Sequence, residues 1–267
     1  MKLIACLLLL LIPFSTPAAA KPGAAAHPSD ATCLRWYVKR NPDHATPELP
    51  SEFSRLSDYD GYYADLSRGE DGKVVYLTFD AGYENGNVEK ILDTLKEKNV
   101  PGAFFILSHF LTANPGLIER MIDEGHLVCN HTARHRNMAK ATDREMRREL
   151  TDLETLFRDR TGREIAKYYR PPEGAFNWNN LAVAKELGYA TVFWSFAYAD
   201  WDNQRQPSAE AALKKIRENM HPGAVLLLHP TSDTNAKILP ELIDELASAG
   251  YRFGTLDDLT GTGRRVK

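Results

Sequence analysis

Residues 74–86 read VVYLTFDAGYENG. Val74 to Phe79 form an almost unbroken run of β-branched, aromatic and leucine side chains, which suits a strand buried on both faces, as in a parallel sheet. The run stops at Asp80. Gly82 and Gly86 then mark a turn, after which Val88, Ile91, Leu92 and Leu95 recur at helical spacing. An acid left at the carboxyl end of a buried strand is where α/β folds place their chemistry. Asp80 is therefore the reference point for the rest of the chain.

The same unit of short apolar strand, loop and amphipathic helix repeats downstream. Strands are expected at Val74–Phe79, Ala103–Leu107, Leu127–Asn130, Tyr168–Tyr169, Thr191–Trp194, Ala224–Leu228 and Tyr251–Phe253. Helices are expected near Asn87–Lys98, Pro115–Glu124, Asp143–Arg160, Asn179–Leu187, Ser208–Met220 and Asn235–Ala249, with Gly125, Gly162, Gly188 and Gly250 as C-terminal stops. The alternation implies parallel strands joined by right-handed crossovers. About seven strands in a row, with no dinucleotide-binding glycine fingerprint, favour a closed or nearly closed β/α barrel over an open sheet.

The chain has 267 residues, enough for one large α/β domain or two small ones. A net charge of −3 with scattered basic residues carries no nucleic-acid footprint. Lys2, an apolar run from Leu3 to Phe14 and then Pro17-Ala18-Ala19-Ala20 have the form of a secretory signal over residues 1–20. That run is too short for an ordinary membrane span, and an uncleaved anchor is the alternative. Either way the expected location is secreted or cell envelope. Residues 21–32 are Ala/Pro/Gly/Ser-rich and read as a linker. Residues 33–72 carry many aromatics and prolines without periodicity and read as an irregular N-terminal arm on the main domain. That domain is expected over 73–260, with 261–267 as a tail. Cys33 and Cys129 are too few and too differently placed for a disulfide framework and read as free thiols.

Chemistry gathers just past the expected strand ends. Asp80 follows the first strand, Asn130-His131-Thr132-Ala133-Arg134-His135 the third, Arg170-Pro171-Pro172-Glu173-Gly174 the fourth, Asp200-Trp201 the fifth and His229 the sixth. In a barrel these ends share one rim. His131 and His135, four apart, would face the same way on a helical turn and could hold a divalent cation such as zinc; the plainer reading is two surface or hydrogen-bonded histidines. Asp80 suits a general base, or else a turn acid. Arg170 beside it would keep the acid ionised and oriented. Asp200 beside His229 would raise the imidazole's pKa and make it a competent acid. Trp201 is either core or a pocket wall. Glu84 and Glu173 read as solvated turn residues.

TFDAG, HTARH, RPPEG, ADW and LLLHP, in that order, resemble the motifs of polysaccharide deacetylases with a NodB-type domain. The flanks YDGYY, LTFDAGYENGN, RPPEGAF, TVFWSFAYADW and HPGAVLLLHPTSDTNA are similar to the delta-lactam-biosynthetic de-N-acetylase branch, and the resemblance runs from about Trp36 to Leu259. It implies a deformed (β/α) barrel that removes acetyl groups from N-acetylmuramic acid in peptidoglycan glycan strands, acting as a monomer after an N-acetylmuramoyl-L-alanine amidase has taken off the stem peptide. The freed amine then closes to the muramic δ-lactam of spore cortex. By the same resemblance Asp80 is the base, Arg170 its positioner, His229 the acid paired with Asp200, His131 and His135 the metal ligands, and a backbone N–H near Glu173 the oxyanion donor. One position departs: the acidic third metal ligand of the broad family is replaced by Ala81, which weakens the expected divalent metal site. A glycosidase using Asp80 and Asp200 and a glycan-binding protein without activity are the rival readings.

Overall fold

The structure, a computed structural model, describes residues 28–41, 43–67 and 72–261. The signal expected over 1–20, most of the linker expected over 21–32 and nearly all of the tail expected over 261–267 lie outside the described residues.

Ten strands are present among those residues: β1 Leu34–Arg35, β2 Gly61–Tyr62, β3 Val74–Ala81, β4 Ala103–Ile106, β5 Leu127–Asn130, β6 Ala166–Tyr169, β7 Ala175–Phe176, β8 Ala190–Val192, β9 Ala224–Leu228 and β10 Arg252–Phe253. Eight of them form one sheet in the order β10-β3-β4-β5-β6-β8-β2, with β9 added on β3. All its strand pairings are parallel. Phe196, just past β8, bridges in parallel to Leu226 of β9, and Ala64, just past β2, bridges antiparallel to Ala224, so the curled sheet meets itself through two isolated bridges. The result is a deformed β/α barrel, as the family resemblance implies, in place of the closed or nearly closed barrel favoured by the repeating units. It has one strand more than the seven expected, because Gly61–Tyr62 of the arm pairs with β8; two residues are too few to show a period.

β3 explains why its sequence is apolar throughout. Val75, Leu77, Phe79 and Ala81 pack in the outer core with Val88, Ile91 and Leu92 and with Leu239 and Leu242. Val74 and Tyr76 join Phe105, Cys129, Tyr168, Val192 and Val225 in the inner core. Strand side chains alternate faces, so Thr78 and Asp80 point with Val74 and Tyr76 toward the barrel interior. The strand also runs two residues past its expected end, pairing Asp80 with Phe105 and Ala81 with Ile106.

The helices that cover the sheet are α1 Asn87–Glu97, α2 Ser108–Ala113, α3 Pro115–Asp123, α4 Asp143–Thr161, α5 Trp178–Glu186, α6 Ala209–Asn219, α7 Asp233–Ser248 and α8 Leu256–Thr260. α4 begins at a capping box between Thr142 and Glu145 and ends at left-handed Gly162. α2 and α8 are additions to the expected set; each is too short to display a full amphipathic repeat. Glu84 is not merely a solvated turn residue: its Oε2 accepts from the Val88 N–H at 3.1 Å and caps the start of α1.

The arm has no core of its own. Trp36, Phe53, Leu56 and Tyr63 share one cluster with Phe176, Trp178, Leu181 and Phe193, and the Trp36 ring stacks on Phe193 at 4.5 Å. β1 pairs antiparallel with β7. The Trp36 N–H donates to the Gly174 carbonyl at 2.8 Å, its Nε1–H to the Trp194 carbonyl at 2.9 Å, and Arg40 to the Ala197 carbonyl at 3.0 Å. The arm thus straps down the loop after β6 and the loop after β8. Cys33 and Cys129 are both free thiols. Among the described residues no helix is long and apolar enough to cross a membrane.

Candidate active site

Parallel register brings the strand ends together. Phe79 pairs with Leu228, so the residues that follow, Asp80 and His229, stand side by side at the rim. Asn130 pairs with Tyr169, which sets His131 beside Arg170.

Arg170 is fully buried. Its Nη1 donates to Asp80 Oδ1 at 2.8 Å, Nη2 to Thr78 Oγ1 at 2.8 Å and to the Phe193 carbonyl at 3.2 Å, and Nε to the Val192 carbonyl at 2.9 Å. The guanidinium lies over the Phe105 ring at 4.1 Å. A planar fork with this many fixed acceptors has one orientation, and Asp80 inherits it. Burial opposes ionisation of Asp80, but the His131 imidazole and the Arg170 guanidinium outweigh it and hold the carboxyl below the ordinary carboxylate range. Burial pushes His131 itself down to about 4, so near neutrality the charge and hydrogen bond of Arg170, with His229 adding to them, keep Asp80 an anion.

The second pair is set the other way. Asp200 is fully buried; its Oδ1 accepts from His229 Nδ1 at 2.7 Å and its Oδ2 from the His229 backbone N–H at 2.8 Å. Burial disfavours the imidazolium, yet the hydrogen bond and charge of Asp200, with Asp80 adding to them, raise the pKa of His229 above its ordinary value. Nδ1 is committed to Asp200, which leaves Nε2 as the atom able to hand over a proton. Two titratable groups on one rim are thus driven in opposite directions, an ionised acid next to a protonatable imidazole.

Comparison with known proteins gives the family. Residues 67–192 match the polysaccharide deacetylase family. The chain is 39% identical over 227 residues to the peptidoglycan-N-acetylmuramic acid deacetylase PdaA of Bacillus subtilis, covering 85% of each. It is 34% identical over 197 residues to a peptidoglycan-N-acetylglucosamine deacetylase of Bacillus cereus, covering 72% of this chain and 70% of the other. The solved structure of Bacillus subtilis PdaA, a family 4 carbohydrate esterase, superposes with a TM-score of 0.82 at 38% identity, covering 86% of this chain and 98% of that one. The chain belongs to the polysaccharide deacetylase family.

In this deacetylase His131 and His135 do not lie on a helical turn. They sit in an irregular loop where Thr132 and His135 have positive φ, 74° and 55°, yet their rings still come within 5.0 Å of each other. His131 Nδ1 is 2.8 Å from the Arg170 carbonyl oxygen, so it carries the proton and Nε2 presents a lone pair. That lone pair faces Asp80 Oδ2 at 3.5 Å. Two acceptors so close, one anionic, suit a cation between or beside them. The donor set fits a divalent ion held by the two imidazoles, not a protein cage of three ligands: among the described residues no trio of His, Cys, Asp or Glu is arranged to hold a metal. Ala81 is fully buried in the outer core.

The remaining rim residues of the deacetylase are placed as follows. Glu173 is the exposed turn residue expected, in the left-handed conformation (φ 57°, ψ 11°), and its carboxylate makes a surface ion pair with Arg35 Nη2 at 2.6 Å. Trp201 is not core: it is 63% exposed, with its ring 6.2 Å from that of His229. Sequence reasoning passed over Thr78 and Asn235. Thr78 holds Arg170 while donating to the Leu226 carbonyl at 2.5 Å, and Asn235 Nδ2 donates to Asp200 Oδ2 at 2.6 Å. Thr78 is hidden in an apolar run, and Asn235 resembles any polar residue of a first helical turn; its only signal is that it follows His229 by less than two turns of chain.

Proposed function

We propose that this deacetylase hydrolyses the N-acetyl group of N-acetylmuramic acid residues in peptidoglycan whose stem peptide an N-acetylmuramoyl-L-alanine amidase has removed, and that the product amine closes to muramic δ-lactam, the mark of spore cortex. The observation that carries the chemistry is the adjacency of Asp80 and His229 with opposite proton affinities, set by Arg170 and Asp200. The substrate class rests on the similarity to PdaA over most of both chains. A secreted or cell-envelope location follows from the signal-like start.

In this mechanism Asp80, ionised and aimed by Arg170, takes a proton from water as it attacks the acetyl carbonyl. The Glu173 N–H, fixed by the left-handed turn, stabilises the developing oxyanion, a contribution typically worth about 3 kcal/mol. His229 Nε2 gives its proton to the leaving nitrogen while Asp200 stabilises the imidazolium. Exposed Trp201 walls the rim beside His229. A divalent ion held by His131 and His135 would add Lewis-acid polarisation of the carbonyl.

The test is incubation with amidase-treated and untreated peptidoglycan, with and without chelator, followed by mass analysis. Acetyl loss and δ-lactam from the treated material alone are expected. Acetyl loss from glucosamine residues instead would reassign the substrate, and shortened glycan chains without acetate would replace the reaction by a glycosidase.

A further inference from the structure

Asn235 lies on α7, outside every motif that supplies the acid and base, yet it reaches the proton donor's partner. We infer that Asn235, oriented by Tyr198, is a positioning residue that aims the Asp200 carboxylate at His229. The inference rests on the reading of His229 as the acid and adds the group that holds its carboxylate in place.

The amide is buried and has one workable orientation. Nδ2 donates to Asp200 Oδ2 at 2.6 Å and to the His229 carbonyl at 3.1 Å. Oδ1 accepts from the Tyr198 hydroxyl. Exchanging O and N would set an oxygen against a carboxylate and a carbonyl, so those two acceptors fix which end of the amide meets Asp200, and the Tyr198 hydroxyl holds the other end in place. Asp200 Oδ2 is then shared between Asn235 and the His229 backbone N–H, which leaves Oδ1 turned to Nδ1. Without Asn235, Oδ2 keeps only the His229 backbone N–H, and the terminal torsion of the carboxylate, whose energy profile is broad, is less tightly held.

The amide's own position is over-determined. The Asn235 N–H is capped by Ser232 Oγ at 3.0 Å, and the Ser232 hydroxyl donates to Gln206 Oε1. Gln206 Nε2 in turn donates to the Asp200 and Asp202 carbonyls at 2.8 and 2.9 Å. The start of α7 and the loop carrying Asp200 are therefore one hydrogen-bonded unit. The charged groups facing His229 are Asp200 from the loop after β8, Asp80 from β3 and Arg170 from the loop after β6; a substitution at 235 alters none of them, so a change in the imidazole's behaviour reports the clamp.

Two variants test it in the full chain. Asn235→Leu keeps the size and removes both hydrogen-bonding ends; Tyr198→Phe removes only the hydroxyl and guards against an Asn235 variant that fails to fold. For acetate release, Asn235→Leu should lower kcat by about ten- to a hundred-fold with KM nearly unchanged, the scale of a misaligned catalytic group. The alkaline limb of the kcat–pH profile should move to lower pH, because a loosened Asp200 holds the imidazolium less well. Tyr198→Phe should shift both in the same direction by less. Full kcat in both variants overturns the inference, as does a kcat loss that follows thermal stability while the alkaline limb stays fixed. Wild-type protein that releases no acetate overturns the proposed function instead. In that event NMR titration of the His229 imidazole still decides: its midpoint falls in Asn235→Leu if the clamp exists and is unmoved if it does not.

Discussion

Replacing Arg170 with methionine would separate the charge on Asp80 from its burial. The guanidinium is fully buried and serves four acceptors: Asp80, Thr78 and the Val192 and Phe193 carbonyls. At the 2.8 Å contact with Asp80 the Coulomb attraction is about 6 kcal/mol with an effective dielectric near 20. Desolvation of both ions offsets part of that, whereas removing one partner and stranding the other costs about 3–5 kcal/mol. Arg170→Met should therefore be less stable by that order. The sign of its pH dependence should also reverse. In the wild type Asp80 is held below its unfolded pKa, so its contribution is present above the unfolded value and lost as pH falls through the folded one. With Arg170 gone, burial dominates, the Asp80 pKa rises, and stability is instead gained as pH falls through the new value. The acid limb of kcat/KM should move to higher pH, and kcat should fall by about a hundred- to ten-thousand-fold as the base loses its aim. Arg170→Lys keeps the charge without the fork, so it should lose kcat while leaving the acid limb nearly in place. Acetate release and denaturant midpoints measured across pH would show both effects. An acid limb in Arg170→Met that coincides with the wild type would refute Arg170 as the source of Asp80's ionisation.

The other predictions are more direct. Asp80→Asn should abolish acetate release with far-UV circular dichroism unchanged, while the melting temperature falls because the buried Arg170 charge loses its carboxylate; retained turnover would remove Asp80 as the base. Asp200→Asn takes away the anion that raises His229. The stability that a raised imidazole contributes is present below its unfolded pKa and lost as pH rises through the folded one, so in this variant that loss and the alkaline limb of kcat should both come at lower pH. Ala81→Asp places a carboxylate at a fully buried position, which should lower the melting temperature in chelator by several degrees. Added zinc should recover more of that loss than it gives the wild type; equal zinc shifts in the two proteins would show that position 81 does not reach the cation.

How far the sequence went depended on the length over which each signal persisted. Val74–Phe79 and Ala224–Leu228 are long enough for their composition to specify buried parallel strands, and the helix from Asp143 carried its own glycine stop. Parallel pairing then followed from the alternation of strands and helices, and the rim positions of Asp80, His131, Arg170, Asp200 and His229 followed from their places just past strand ends. Gly61–Tyr62 was not legible because two residues carry no period; its place in the sheet depends on β8. The four-residue spacing of His131 and His135 would bring their rings together on a helical turn, whereas the positive-φ residues of their loop give the same ring proximity without a helix. Trp201 could not be assigned to core or rim, because exposure is a property of what packs against a residue.

The strap formed by Leu34–Arg40 changes where this enzyme can be cut. The family match begins at residue 67 and the first long strand at Val74, so a shortened version starting there would look complete by either measure. It would lack β1 against β7 and the Trp36 and Arg40 bonds to Gly174, Trp194 and Ala197. Those bonds anchor the segments bearing Glu173 and Asp200, so a shortened version starting at either point should lose stability and acetate release, and a tag or fusion joint belongs before Leu34.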